Sequence, residues 1–217
     1  MANLAFSILR FSNQEDFERM AEQAVNDKKQ FDLNTIASIP EALFIDHSTD
    51  PESAIGSYYN TLDKEEQKTL FENLKDYRNI DINTVIAEAD AQEKEQILVA
   101  EERIDLGQKY YENMIEHGYT DAEDWSVTNW GTKWYVKDTI IDADNLTIGF
   151  TTAWVPVEHL MSQLFEQTEI PFTYQYANDD WTLYGETAFS PQGRSQSEVD
   201  EAWVQRIFGH KKTREDI

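Results

Sequence analysis

The sequence has no cysteine and few basic residues: 18 Lys and Arg stand against 42 Asp and Glu in 217 residues, a formal charge of −24. The first absence removes disulfides, thiolate nucleophiles and cysteine-ligated zinc, and it fits a reducing compartment. The second excludes a direct grip on a polyanion. Apart from the tail His210-Lys211-Lys212-Thr213-Arg214, bases outnumber acids over no useful length, so bare nucleic acid and anionic membrane surfaces are not expected partners. Long apolar runs are missing too. None approaches the roughly 20 residues of a membrane span, and Met1-Ala2-Asn3-Leu4-Ala5-Phe6 lacks a basic stretch ahead of its apolar residues. These absences predict a soluble, cytoplasmic protein.

What is present argues for a packed core: 40% hydrophobic and 12% aromatic residues are too many for a chain that stays disordered. The length allows one domain with an insertion, or two small ones. Charge and tryptophan are segregated. Residues 1–124 hold 28 acids and 11 bases, a net −17, while all six tryptophans lie at or beyond position 125.

Leu4, Phe6 and Ile8 alternate as in a half-buried strand. Ser12 with Glu15 reads as a capping box for a helix carrying Phe17, Met20, Ala21 and Ala24 to about Asp27. Residues 31–36 suit a short strand and 46–60 a loop. Asp63 with Glu66 is a second capping signal. After Asn83 a longer helical pattern follows, with Ile97, Ala100, Ile104, Tyr111 and Met114 near a heptad seam, stopped by Gly118. Strands are predicted at 133–137 and 146–153 around the turn Asp142–Asn145, and a helix between Pro156 and Pro171. A hairpin turning at Asn178-Asp179-Asp180 and a last amphipathic helix over 197–208 complete the pattern. This order implies an α+β fold, one antiparallel sheet covered by helices on one face, with an acidic helical insertion. The expected division is 1–60 and 121–217 for the sheet domain and 61–120 for the insertion.

Asn129-Trp130-Gly131-Thr132-Lys133-Trp134 is the densest block of the sequence, and Phe150-Thr151-Thr152-Ala153-Trp154-Val155-Pro156 is the next. Together with Phe31-Asp32-Leu33-Asn34-Thr35-Ile36 before Pro40, and with the Met1-Ala2-Asn3 start that leads into Leu4 to Ile8, they carry a resemblance to the YubB-like, ferredoxin-like family of phage and plasmid proteins of unknown function. The resemblance implies a fold and a mobile-element origin, and it brings no activity with it. Trp130, Lys133, Trp134 and Trp154 have two readings: an aromatic pocket or stacking platform, or core residues of a small sheet.

Chemistry-bearing patterns are sparse. His47, His117, His159 and His210 have no metal-ligand spacing, no glycine-rich phosphate loop is present, and no nucleophile, base and orienting group occur together. Neither a metal nor a cofactor is expected, and an enzyme is the less economical reading. The acidic cluster Glu88, Asp90, Glu93, Glu95, Glu101, Glu102 and Asp105 is either a solvated face or a docking face. On the second reading, carboxylates stand where phosphates would sit in the basic cleft of a host restriction nuclease or CRISPR effector, a DNA mimic acting as an anti-restriction or anti-CRISPR style inhibitor. The alternative from another class is a mobile-element scaffold or binding module that uses the Trp-rich sheet, with the charge serving solubility.

Overall fold

The alternation at the start of the chain builds β1 (Leu4–Arg10), but its fully buried side chains are Ala5, Ser7 and Leu9, while Leu4, Phe6 and Ile8 are only half-buried. The sheet therefore has two working faces. The computed structural model describes residues 3–45, 49–95, 99–133 and 135–209, which divide into two compact units: residues 1–38 with 126–217, and residues 39–125.

In the first unit α1 (Gln14–Ala24) follows β1. Its cap is Asn13, one residue beyond the predicted Ser12: Asn13 is extended at φ −150° and its Oδ1 accepts the Asp16 N–H at 2.9 Å. The expected strand at 31–36 is instead a 3-10 turn over Leu33–Thr35, because the Asp32 carboxylate accepts the Asn34 N–H at 3.0 Å and folds the chain back on itself. Then come β2 (Thr139–Asp142), β3 (Thr147–Ala153), α7 (Glu158–Thr168), β4 (Phe172–Asn178), β5 (Tyr184–Ser190), β6 (Gly193–Ser197) and α8 (Glu201–Phe208), with five further helices between α1 and β2. The strand expected at 133–137 starts later, at Thr139. Residues 137 and 138 make only two bonds to Thr151, Lys137 N–H to its carbonyl at 2.9 Å and Thr151 N–H to the Asp138 carbonyl at 3.1 Å. Strand β6 escapes sequence reading because all five of its residues are exposed and carry no apolar alternation, and the last helix begins at Glu201 because Asp200 caps it.

All neighbouring strands are antiparallel, in the order β2-β3-β1-β4-β5-β6. The β1-α1-β2-β3-α7-β4 path with spatial order 2-3-1-4 is ferredoxin-like, and β5 and β6 extend it. Cross-strand partners share a face. One face, with Leu9, Phe150, Tyr174 and Phe189, takes α1 and α7: Phe17 meets Phe11, whose ring lies 6.4 Å from Phe172, and Phe165 meets Phe189. The opposite face takes α8, whose Trp203 and Val204 pack on Ala177.

The second unit is helical: α2 (Pro51–Tyr59), α3 (Lys64–Leu74), α4 (Ile82–Lys94), α5 (Glu101–His117) and the start of α6 (Ala122–Asn129), the helix that leads the chain back to the first unit. It begins at Ile39, so 39–45 and 49–60 belong with the helices. Its core gathers Ile55, Leu70, Leu74, Val85, Tyr110 and Met114. The predicted capping box holds: Asp63 Oδ1 accepts the Glu66 N–H at 3.0 Å and Glu66 Oε2 accepts the Asp63 N–H at 2.9 Å. The expected loop at 46–60 contains α2, started by Asp50 and Pro51. Its small residues and Gly56 look loop-like in sequence, but a Cβ at Gly56 would stand 2.9 Å from the Val85 carbonyl oxygen, so glycine is what lets α2 approach α4. The single helix expected after Asn83 is two, α4 and α5. Gly118 ends α5 at φ +81°, as expected, and Ile97 of the predicted seam lies outside the described residues.

Candidate functional site

The two tryptophan-bearing blocks meet at one end of the sheet. Thr132, fully buried, donates from Oγ1 to the Ala153 carbonyl at 3.0 Å and accepts the Ala153 N–H at 3.1 Å, so the loop after α6 is bolted to the last residue of β3. Thr152 Oγ1 donates to the Val155 carbonyl at 2.9 Å and shapes the turn before Pro156. Trp130 is buried and its Nε1–H donates to the Ala37 carbonyl at 2.8 Å. The Asn129 carbonyl lies 2.8 Å from His159 Nε2. Gly131 sits at φ +75°, a conformation glycine adopts without strain, with His159 packed where a Cβ would be. Trp154 holds φ +68°, is 42% exposed and gives its N–H to the Asn3 carbonyl at 2.8 Å. Lys133 is half-buried, and Trp134 lies outside the described residues. The block is thus a splice between the loop after α6 and the sheet, made mostly of side chains bonded to backbone groups.

Beside it, on the face covered by α1 and α7, the Glu158 carboxylate gathers Tyr176 Oη at 3.2 Å, Thr187 Oγ1 at 3.3 Å and the Arg194 guanidinium. Tyr174 Oη lies 2.8 Å from Ser7 Oγ. Burial pushes the Tyr174 phenol well above its ordinary value, and burial followed by the Glu158 charge pushes Tyr176 up to about 12. Both phenols stay neutral, and Tyr176 donates to Glu158. Among the described residues no group of three or more His, Asp or Glu is placed to hold a metal ion, and no helix is long and apolar enough to cross a membrane.

The helical unit carries 22 acids and 7 bases, a net −15 within its 87 residues. The seven predicted acids do not form one face. Glu88 turns inward and accepts from Ser53 Oγ at 2.9 Å, tying α4 to α2. Asp90 lies 3.8 Å from Lys94, and Glu93 and Glu95 are exposed at the end of α4. On α5, Glu101, Glu102 and Asp105 are exposed. The helical period sets Glu101 and Asp105 in line with Glu112 and Glu116, both exposed, within an arc of about 60°. This row spans about 22 Å, and none of its four carboxylates makes an ion pair with the described residues. Glu112 accepts from Gln108 at 2.8 Å, inside the row. Sequence reasoning stopped at Asp105 because it followed local density of acids. The spacing i, i+4, i+11, i+15 within α5 is the signal that finds the other two.

The fold is therefore an α+β, ferredoxin-like sheet with two added strands, joined in sequence to an acidic helical unit. Residues 129–216, which take in both tryptophan blocks, match the family model described as the ferredoxin-like domain in Api92-like protein. The crystal structure of a protein api92 from Yersinia pseudotuberculosis aligns over 92% of this chain and 99% of that one, at 10% identity and a TM-score of 0.43. No curated protein matches the chain.

Proposed function

We propose that this is a non-enzymatic cytoplasmic binding protein of a mobile element that docks its acidic helices into the basic, nucleic-acid-binding surface of a host defence protein, in the manner of an anti-restriction or anti-CRISPR inhibitor. The observation that carries the reading is the α5 row. Like charges four apart destabilise a helix by a few tenths of a kcal/mol each, and Glu112 and Glu116 lie toward the negative end of the α5 dipole, where acids are unfavourable. Glu101 suits the first turn of α5, but the two like-charge pairs and Glu116 in the last turn work against the helix, and a demand from outside the fold would account for them. Four charges in about 22 Å is a little over half the linear density of one DNA strand, which carries a phosphate about every 3.4 Å. A lysine and arginine cleft would be drawn to it with fast, salt-sensitive association. The mobile-element resemblance of the sequence supports the same reading.

The test is pull-down of the purified chain against a panel of restriction nucleases and CRISPR effectors. A stoichiometric complex is expected that weakens in high salt, competes with DNA and is lost when Glu101, Asp105, Glu112 and Glu116 are changed to Gln or Asn together. No complex across the panel, or one indifferent to those four changes, would sink the idea. The second reading, a binding module built on the sheet with charge serving solubility, is favoured by a separate observation on the α8 face.

A further inference from the structure

Three residues in register cross the face of the sheet that carries α8: Ile8 on β1 opposes Gly149 on β3, and Gly149 opposes Ile140 on the edge strand β2. Gly149 leaves a gap between two isoleucines. Nothing in the fold asks for glycine here. Its φ is not in the left-handed region, and an added Cβ would meet no atom nearer than 3.8 Å. Glycine inside a strand weakens it, and where neither turn nor bulge explains it, it marks a place where something else comes close. The gap is the floor of a groove of about 270 Å³ walled by Ile207 and Phe208 of α8, and Ile140 at its edge is 71% exposed. That volume falls just under the roughly 300–1,000 Å³ of sites for drug-sized ligands, and it suits one or two large side chains. Among the described residues the lining includes Asp138 and Asp142 and no base. Asp142 is held below the ordinary carboxylate range by its bonds from the Asn145 side chain and backbone, so it stays anionic.

We infer that this groove is a docking site for a segment of another protein that carries large apolar side chains flanked by lysine or arginine. The apolar side chains fill the gap over Gly149 between Ile8 and Ile140, and the flanking cations meet Asp138 and Asp142. Charge complementarity decides the occupant: a second copy would bring its own Asp138 and Asp142 to the same rim. The site lies wholly within the sheet unit and does not depend on the α5 row.

The probe is a fluorescein-labelled peptide, Lys-Leu-Ile-Leu-Lys, compared with Glu-Leu-Ile-Leu-Glu by fluorescence anisotropy on the whole chain. The lysine form should bind and the glutamate form should not. Gly149→Val should leave the melting temperature unchanged or raise it, since valine favours a strand and the space is open, while weakening the peptide about tenfold or more, the change expected when a large apolar side chain loses its seat. Ile140→Asp should weaken it similarly, and Asp138→Lys should reduce the preference for the lysine form. Equal binding of both peptides, no binding of the lysine peptide at millimolar concentration, or affinity unchanged by a folded Gly149→Val would overturn the assignment. So would a dimer in sedimentation analysis that Ile140→Asp dissolves, which would give the groove to a second copy.

Discussion

Gly107→Ala is the perturbation that tests the helical unit most sharply. A Cβ at Gly107 would fall on the carbonyl oxygen of Ala54, well inside contact distance, and within 3.0 Å of the Ile55 backbone nitrogen. The obstacle is the backbone of a buried helix, not the tip of a flexible side chain, so α5 has to move away from α2. That motion loosens Ile55 and Tyr110, both almost completely buried in the same cluster. Overpacking of this kind costs about 1–3 kcal/mol, occasionally more, and alanine regains at most about 1 kcal/mol through helix propensity. A collision with backbone belongs at the upper end, which leaves a net loss of about 2 kcal/mol. Gly56→Ala is the internal comparison: its Cβ would stand 2.9 Å from the Val85 oxygen and 3.1 Å from the Ala89 nitrogen, a milder encroachment worth about 1 kcal/mol net. Hydrogen exchange read by mass spectrometry resolves the two units. Peptides from α2 and α5 should exchange about 30-fold faster in Gly107→Ala, while those from β3 and β4 keep their protection. A Gly107→Ala protein as stable as the parent, or more so, refutes the close α2–α5 crossing.

Thr132→Val keeps the side-chain shape but leaves the Ala153 N–H without its partner, while the Ala153 carbonyl keeps the Val155 N–H at 2.9 Å, and a loss of about 1–3 kcal/mol is expected in urea unfolding. Thr132→Ser should recover most of it, and a neutral Thr132→Val would count against the splice. Tyr176, raised to about 12 by burial and then by Glu158, favours its neutral form in the folded chain. Its contribution is therefore complete below the ordinary value of 10 and is lost as pH rises toward 12, so stability should fall across that window. Glu158→Gln should lower one tyrosine's midpoint in a phenolate absorbance titration, and an unchanged titration would contradict the Glu158 contact. Glu116→Lys removes a like-charge pair with Glu112 and places a cation in the last turn of α5. It should stabilise that helix by about 0.5–1 kcal/mol, read as a higher melting temperature, and a lower one would argue that Glu116 serves the fold.

Much of the sheet unit was legible because its signals are local. Two prolines bracket α7, an Asp-Asn turn joins β2 to β3, and alternation marks β4, whereas the returning strand expected at 181–185 begins only at Tyr184. The same locality explains the failures. Strand β6 is exposed on every residue and has no pattern to read, and a cap moved from Ser12 to Asn13 because either side chain can accept an N–H and only the extended φ of Asn13 selects it. Half of the α5 row was found from acid density. The other half needed the knowledge that one unbroken helix runs from Glu101 to His117.

The sequence by itself determined the charge and where it concentrates, the absence of cysteine chemistry, the α+β order of elements and the stops and caps written within a few residues. Only the tertiary structure decided that α2 exists between a glycine meeting α4 and a glycine of α5, that Glu88 bonds inward to Ser53, and that Gly149 opens a groove between Ile8 and Ile140. The physical reason is range. Periodicity, caps and turns depend on neighbours along the chain, whereas a glycine's purpose or a carboxylate's partner is set by whichever residue, distant in sequence, the packing brings opposite it.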